Sequence, residues 1–222
     1  MSTNGAPPEA PEAGTPGVGS AGGDAPAVLR RLDSASATAL AALVETFEEL
    51  QTVLRCCELL VAELESPGGP DPVLVEAVWT TALLSYARCF SAGPSGVALG
   101  EDDLSTAQPG GEVLEWHRLL LQLRDHYAAP TESPRERFSV AVAQDAQGAA
   151  SGVAITSDRQ PLVDDVTVRQ TGAVAYALRG QLNARIESQQ GLVSAELQGV
   201  PRADLDKLEQ ISVAVPADQS DS

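Results

Sequence analysis

SATALAALVETFEELQTVLRCCELLVAELE, running from Ser36 to Glu65, decides how the rest of the chain is arranged. Within it Leu40, Leu43, Phe47, Leu50, Leu54, Cys57, Val61 and Leu64 recur at alternating spacings of three and four. That spacing holds one apolar seam on one face of a helix for more than three heptads. Glu45, Glu48, Glu49, Glu58 and Glu63 decorate the other faces. SPGGPDP, from Ser66 to Pro72, then stops the helix, and so short a turn implies an antiparallel neighbour.

Moving outward toward the C-terminus, Asp71 suits an N-cap with Pro72 at the first helical position. The second helix carries Val75, Val78, Trp79, Ala82, Leu83, Tyr86 and Phe90 and ends at SAGPSG. Residues 91–111 form a Gly/Pro-rich connection in which Glu101, Asp102 and Asp103 suit the start of one helical turn. A third helix is predicted from about Gly111 to Ala128, with Val113, Trp116, Leu120, Leu123 and Tyr127 as its seam. His117, Leu121 and Arg124 lie on an adjacent strip of that helix. Beyond Pro130 and Pro134 the pattern changes. FSVAVAQ (Phe138 to Gln144) and GVAITS (Gly152 to Ser157) alternate like two strands, which predicts a hairpin at about 137–157. An isolated hairpin is marginally stable, so this one is expected to pack on the helices.

A long helix follows from about Asp164 to Leu197, with Val166, Val174, Leu178, Leu182, Ile186, Val193 and Leu197 on one face. Gly172 and Gly180 weaken it by about 1 kcal/mol each relative to Ala, which suggests close helix packing at either position. A short helix from Arg202 to Gln210 precedes ISVAV, a strand or docking tail. In the other direction, residues 1–28 are dominated by Pro, Gly and Ala and cannot bury enough surface to order. The expected fold class is therefore mainly α: a bundle of about four helices with a small two-stranded β-hairpin insertion. A disordered N-terminal tail precedes it. The bundle domain occupies 29–215, and 216–222 form a frayed C-terminus.

Of 222 residues, 14 are basic and 31 acidic, a formal net charge of −17. So acidic a chain repels phosphate backbones, which argues against nucleic-acid binding. No apolar run approaches the roughly 20 residues of a membrane span, and the N-terminus lacks the basic start and apolar core of a secretory signal. A cytoplasmic location follows as the expectation. Cys56, Cys57 and Cys89 have no zinc-like spacing and are read as small buried hydrophobes in a reducing compartment.

The most chemically loaded stretch is Glu115 to Tyr127, which holds both histidines, His117 and His126, with Arg118 and Arg124. Together with Tyr86-Ala87-Arg88-Cys89-Phe90 upstream, and Leu123-Arg124-Asp125, it resembles small bacterial HEPN-like proteins. In these a YxRCF helix is followed by a loop, a helix bearing His and LRD, a hairpin and a final long helix. The resemblance spans about Val73 to Gln198. It implies a helical dimer in which, in active members, an Arg and a distal His face each other and cut RNA without a metal. This chain departs from that pattern, because the family's His position falls on Ala129, Pro130 or Thr131. His126 lies only two positions beyond Arg124, nearly opposite on a helix, and His117 lies one heptad before it.

The arginine is kept and the proton-transfer group is lost, so no catalytic residue is assigned. The expected role is a non-catalytic HEPN-like interaction or regulatory module, dimeric or bound to a protein partner, with His117, Leu121, Arg124 and Arg88 as its interaction strip. The alternative is a divergent metal-independent ribonuclease using Arg124 with His117 or His126. No cofactor and no metal are expected. Phosphate-loop, dinucleotide, zinc-protease and hydrolase motifs are missing from the sequence. Asp164-Asp165 reads as a helix cap, and the acidic run at 101–103 lacks calcium-loop spacing.

Overall fold

A computed structural model describes residues 28–93, 97–107, 112–131 and 133–212. The expected N-terminal tail, apart from Val28, and the expected frayed end at 216–222 lie outside the described residues. In chain order the elements are β1 (Leu29–Arg30), α1 (Ala35–Leu64), α2 (Pro72–Cys89), α3 (Glu101–Ala107), α4 (Glu112–Ala128), β2 (Glu136–Gln144), β3 (Ala150–Arg159), α5 (Asp165–Gln198), α6 (Arg202–Leu205) and β4 (Gln210–Ile211). The chain is mainly helical, a bundle with one β-hairpin. It divides into two compact units, Asp33–Val200 and a smaller one built from the flanking segments.

Within the larger unit, α1, α2 and α5 each start where a side chain replaces a missing backbone acceptor. Ser34 Oγ accepts from Ala37 N at 3.1 Å, Asp71 Oδ1 from Val73 N at 2.8 Å, and Asp164 Oδ1 from Thr167 N at 2.7 Å. The Thr167 bond holds the Asp164 carboxyl below its usual range. Glu63 Oε1 also accepts from Asp71 N at 2.8 Å, tying the end of α1 to the start of α2.

α1 lies between α2 and α5, while α4 packs on α2 and α3 lies against α4 and α5. Neighbours on two sides demand a wider apolar stripe than a two-helix seam provides. Val53, Cys56 and Leu60 are therefore buried along with Leu43, Phe47, Leu50 and Cys57, whereas Leu40, Leu54, Val61 and Leu64 sit half-buried at the cluster edge. Close helix packing is found at Gly172, where a Cβ would lie 3.5 Å from Cys57 Cβ. At Gly180 a Cβ would meet nothing within 4 Å. The three cysteines are free and buried.

β2 and β3 pair antiparallel from Glu136↔Arg159 to Gln144↔Ala150. The turn is closed by Asp145, whose Oδ1 accepts from Gln147 N at 3.0 Å and Ala149 N at 2.8 Å. Gly148 takes the positive φ of 81° that the turn requires. Contrary to the expectation from marginal hairpin stability, the helices cover neither face. Nearly every residue of both strands is exposed.

In the smaller unit β1 pairs with β4 through Leu29↔Ile211 and Arg30↔Gln210. Arg30 Nη1 donates to the carbonyls of Asp206 and Leu208 at 2.9 and 2.7 Å. Ile211 is thus a strand residue, and α6 is shorter than the sequence predicts because the chain turns at Asp206. Among the described residues no helix is long and apolar enough to cross a membrane.

Candidate functional site

Tyr86 and Phe90 stand one helical turn apart at the end of α2 and share a face. That face meets His117 of α4. Tyr86 Oη lies 3.0 Å from His117 Nδ1, and the His117 ring centroid is 4.3 Å from that of Phe90 and 5.7 Å from that of Tyr86. His117 is 6% exposed and Tyr86 is fully enclosed. Burial pushes the His117 pKa below 6.5, with Glu101 opposing and Arg118 reinforcing the shift. Burial, then the nearby Cys89, pushes the Tyr86 hydroxyl up. A neutral imidazole and a protonated phenol therefore share one buried hydrogen bond. The motif residues Tyr86, Phe90 and His117 do converge, and they converge as a core contact between two helices.

The remaining members of the predicted strip go elsewhere. Arg88, two positions from both Tyr86 and Phe90, points away from His117 and pairs with Glu49 of α1 at 3.3 Å. Arg124 lies about 10 Å of helix rise beyond His117 and is 33% exposed, with its Nε 2.8 Å from Asp125 Oδ1. That contact is an ion pair without hydrogen-bond alignment. Leu121 is half-buried. His126, also half-buried, meets the Tyr127 ring edge-on at 5.7 Å. Among the described residues no contact joins Arg124 to either imidazole.

Burial pushes the Cys57 and Cys89 thiols up to about 12, reinforced by Cys56 and Glu58 at the first and by Glu49 at the second. Thiols so poised are poor nucleophiles. Among the described residues no group of three His, Cys, Asp or Glu is placed to hold a metal ion. A cleft of about 470 Å³ opens at the base of the hairpin, walled by Val75 and Trp79 of α2, Tyr127 of α4, and Leu162. Its polar edge is an ion pair, Glu76 Oε2 to Arg135 Nε at 3.1 Å, that anchors the strand β2 approach to α2.

The surface that sequence reasoning missed is on the hairpin itself. Phe138, Val140 and Val142 alternate along one face of β2, and the register Val140↔Ile155 and Val142↔Val153 adds two β3 residues to that face. All five remain 65–75% exposed. The opposite face carries only small or polar side chains, Ser139, Ala141, Ala143, Gly152, Ala154 and Thr156. The alternation in FSVAVAQ was visible in the sequence; what covers its apolar side was not. Compared with protein-family models, curated proteins and solved structures, the chain matches none.

Proposed function

We propose that this chain is a non-catalytic protein-interaction module of HEPN-like organisation, whose working surface is the apolar face of the β2–β3 hairpin. The observation that carries this reading is that face: five large apolar side chains on one side of a hairpin, uncovered by the chain's own helices. A contiguous apolar patch of this size is at the upper end of what monomeric proteins leave in water, and such patches often bind something. The helical seams at 40–64 and 113–127 offer less to a partner, because α1 packs against both α2 and α5, and α4 against α2.

The HEPN-like resemblance supplies the order of elements: a helix with Tyr86 and Phe90, a helix with His117 and Arg124, the hairpin, and a long closing helix. The ribonuclease alternative needs an accessible imidazole beside Arg124. His117 is buried against Tyr86 and Phe90, and Arg124 is paired with Asp125. A general base must reach the proton it abstracts, and neither histidine is in contact with Arg124.

Two measurements test this reading. An RNA-cleavage assay of the wild type and Arg124→Ala should give equal, background rates; turnover that disappears with Arg124→Ala overturns the non-catalytic part. A photoreactive benzophenone side chain at Val142 should form a covalent adduct with a protein chain, either in the pure sample or in an extract of the source cell. No protein adduct under either condition overturns the interaction part.

A further inference from the structure

We infer that the hairpin face is covered by the same face of a second copy of this chain, the two hairpins stacking about a two-fold axis with the tip of each over the base of the other. This rests on the reading of the chain as an interaction module and names its partner.

The area is the first support. At roughly 100 Å² for each of the five exposed side chains, the patch is on the order of 500 Å², at the upper end of what a monomer leaves open. Two such faces together bury on the order of 1,000 Å², the threshold for a specific interface. Facing hairpins also resemble two stacked sheets, which pack about 10 Å apart with side chains interdigitating. Val140, Val142, Val153 and Ile155 are β-branched and stiff, so ordering them in an interface costs little side-chain entropy.

Charge is the second support. Between Phe138 and Ser157 the only ionisable side chain is Asp145, at the turn, in a chain whose net charge is −17. Two copies repel one another over most of their surfaces, and the stretch from Phe138 to Ser157 lets them meet with a single carboxylate each. A single carboxylate at the tip also favours one orientation. At the base, Arg159 has a side chain 85% exposed, and its ion pair among the described residues is with Glu136 at 3.9 Å. In the tip-over-base arrangement Asp145 of one copy approaches the Arg159–Glu136 pair of the other, whose more exposed member is the cation, whereas tip-over-tip places two Asp145 carboxylates together with no cation between them. An isologous contact of this kind closes on itself as a dimer and does not propagate.

Marginal stability is the third. A two-stranded hairpin with neither face covered is barely stable in water, yet this one pairs without interruption from Glu136↔Arg159 to Ala143↔Gly152, shifting register only beside the turn. Stacking on a second hairpin supplies the missing layer.

The test is sedimentation equilibrium of the full chain from about 1 to about 100 μM, with three samples. The wild type should reach twice the chain mass. Val140→Thr with Val142→Thr and Ile155→Thr, which keeps β-branched residues while removing apolar surface, should stay at the single-chain mass throughout. Ala141→Thr, on the opposite face, should dimerise like the wild type. A wild type that remains a monomer, a dimer that survives the triple substitution, or mass growing beyond two chains overturns the proposal.

Amide exchange of the unsubstituted protein gives a reading independent of variant folding. Protection at Val140–Val142 should rise with concentration over the same range, and concentration-independent protection counts against the dimer. If the pure chain is monomeric but the Val142 cross-link captures a different protein, and Val140→Thr with Ile155→Thr abolishes that capture, self-association fails and the interaction reading stands; capture that survives those substitutions sinks both. If no adduct forms with any protein, both fail.

Discussion

Leu50, Val53, Ala82 and Leu178 in the helical core are wholly withdrawn from water, whereas Val140, Val142, Val153 and Ile155 of the hairpin keep most of their surface in it. The residue types are nearly the same, so the difference is one of surroundings. In the bundle each apolar side chain has a neighbouring helix to meet, and its burial contributes about 1.5–3 kcal/mol relative to exposure. In the hairpin these side chains meet one another across the strands, no described helix covers them, and they contribute little to its fold. The contrast separates what holds this protein together from what it offers to others.

Truncation puts the sharpest strain on that contrast. Leu50→Ala removes a fully buried side chain between α1 and its neighbours and should lower the unfolding free energy by about 3 kcal/mol. Val142→Ala, measured at a concentration too low for association, should change it by no more than about 0.5 kcal/mol. Urea denaturation with unchanged slope checks both. A comparable loss at the two positions would mean that the hairpin face is buried in the isolated chain after all.

The contact between α2 and α4 sharpens the comparison, because there a polar pair is treated like core. Tyr86→Phe leaves His117 Nδ1 without its 3.0 Å partner in a buried site and should cost about 1–2 kcal/mol. The same histidine makes stability depend on pH with a definite sign. Its folded pKa lies below the unfolded value of 6.5 because burial penalises the charged ring. As pH falls below 6.5 the unfolded chain takes up a proton that the folded chain resists. The stability present above 6.5 is therefore progressively lost, and the loss levels off below the folded pKa. Thermal melts between about pH 7.5 and 5 should show the decline in the wild type, and a shallower one in His117→Gln. Equal slopes in the two proteins would place the imidazole in water.

These two regions also differ in how far the sequence disclosed them. The alternation of three and four from Leu40 to Leu64 reveals α1, and Asp71-Pro72 and Asp164 mark helix starts that the structure caps with those same carboxylates. Periodicity reports which side of a helix is apolar, but not how many neighbours will share it, so Val53, Cys56 and Leu60 were absent from the predicted seam and are buried. For the hairpin, alternation reveals strands and their two faces. Whether a helix then covers the apolar face depends on the path of residues 129–135 and 160–164, which carry no periodic signal. The site was less legible still. Tyr86, Phe90 and His117 could be singled out as a motif, but their meeting depends on α4 crossing α2 at one particular turn.

The smallest effect brings the same distinction down to single atoms within α5. Gly180 faces open space and Gly172 faces Cys57 across the α1–α5 contact. Gly180→Ala should therefore return only the helix-propensity difference, about 1 kcal/mol of added stability. Gly172→Ala should gain a similar amount, since its new methyl would rest at an ordinary van der Waals distance of 3.5 Å from Cys57 Cβ. Enlarging both to Leu pulls the two positions apart. At Gly180 the side chain extends into solvent and stability stays near the Ala value, whereas at Gly172 it must displace Cys57 or part the helices, costing about 1–3 kcal/mol. Paired chemical denaturation of the two Leu variants reads the difference directly, and equal stabilities would deny that α1 and α5 approach closely at Gly172.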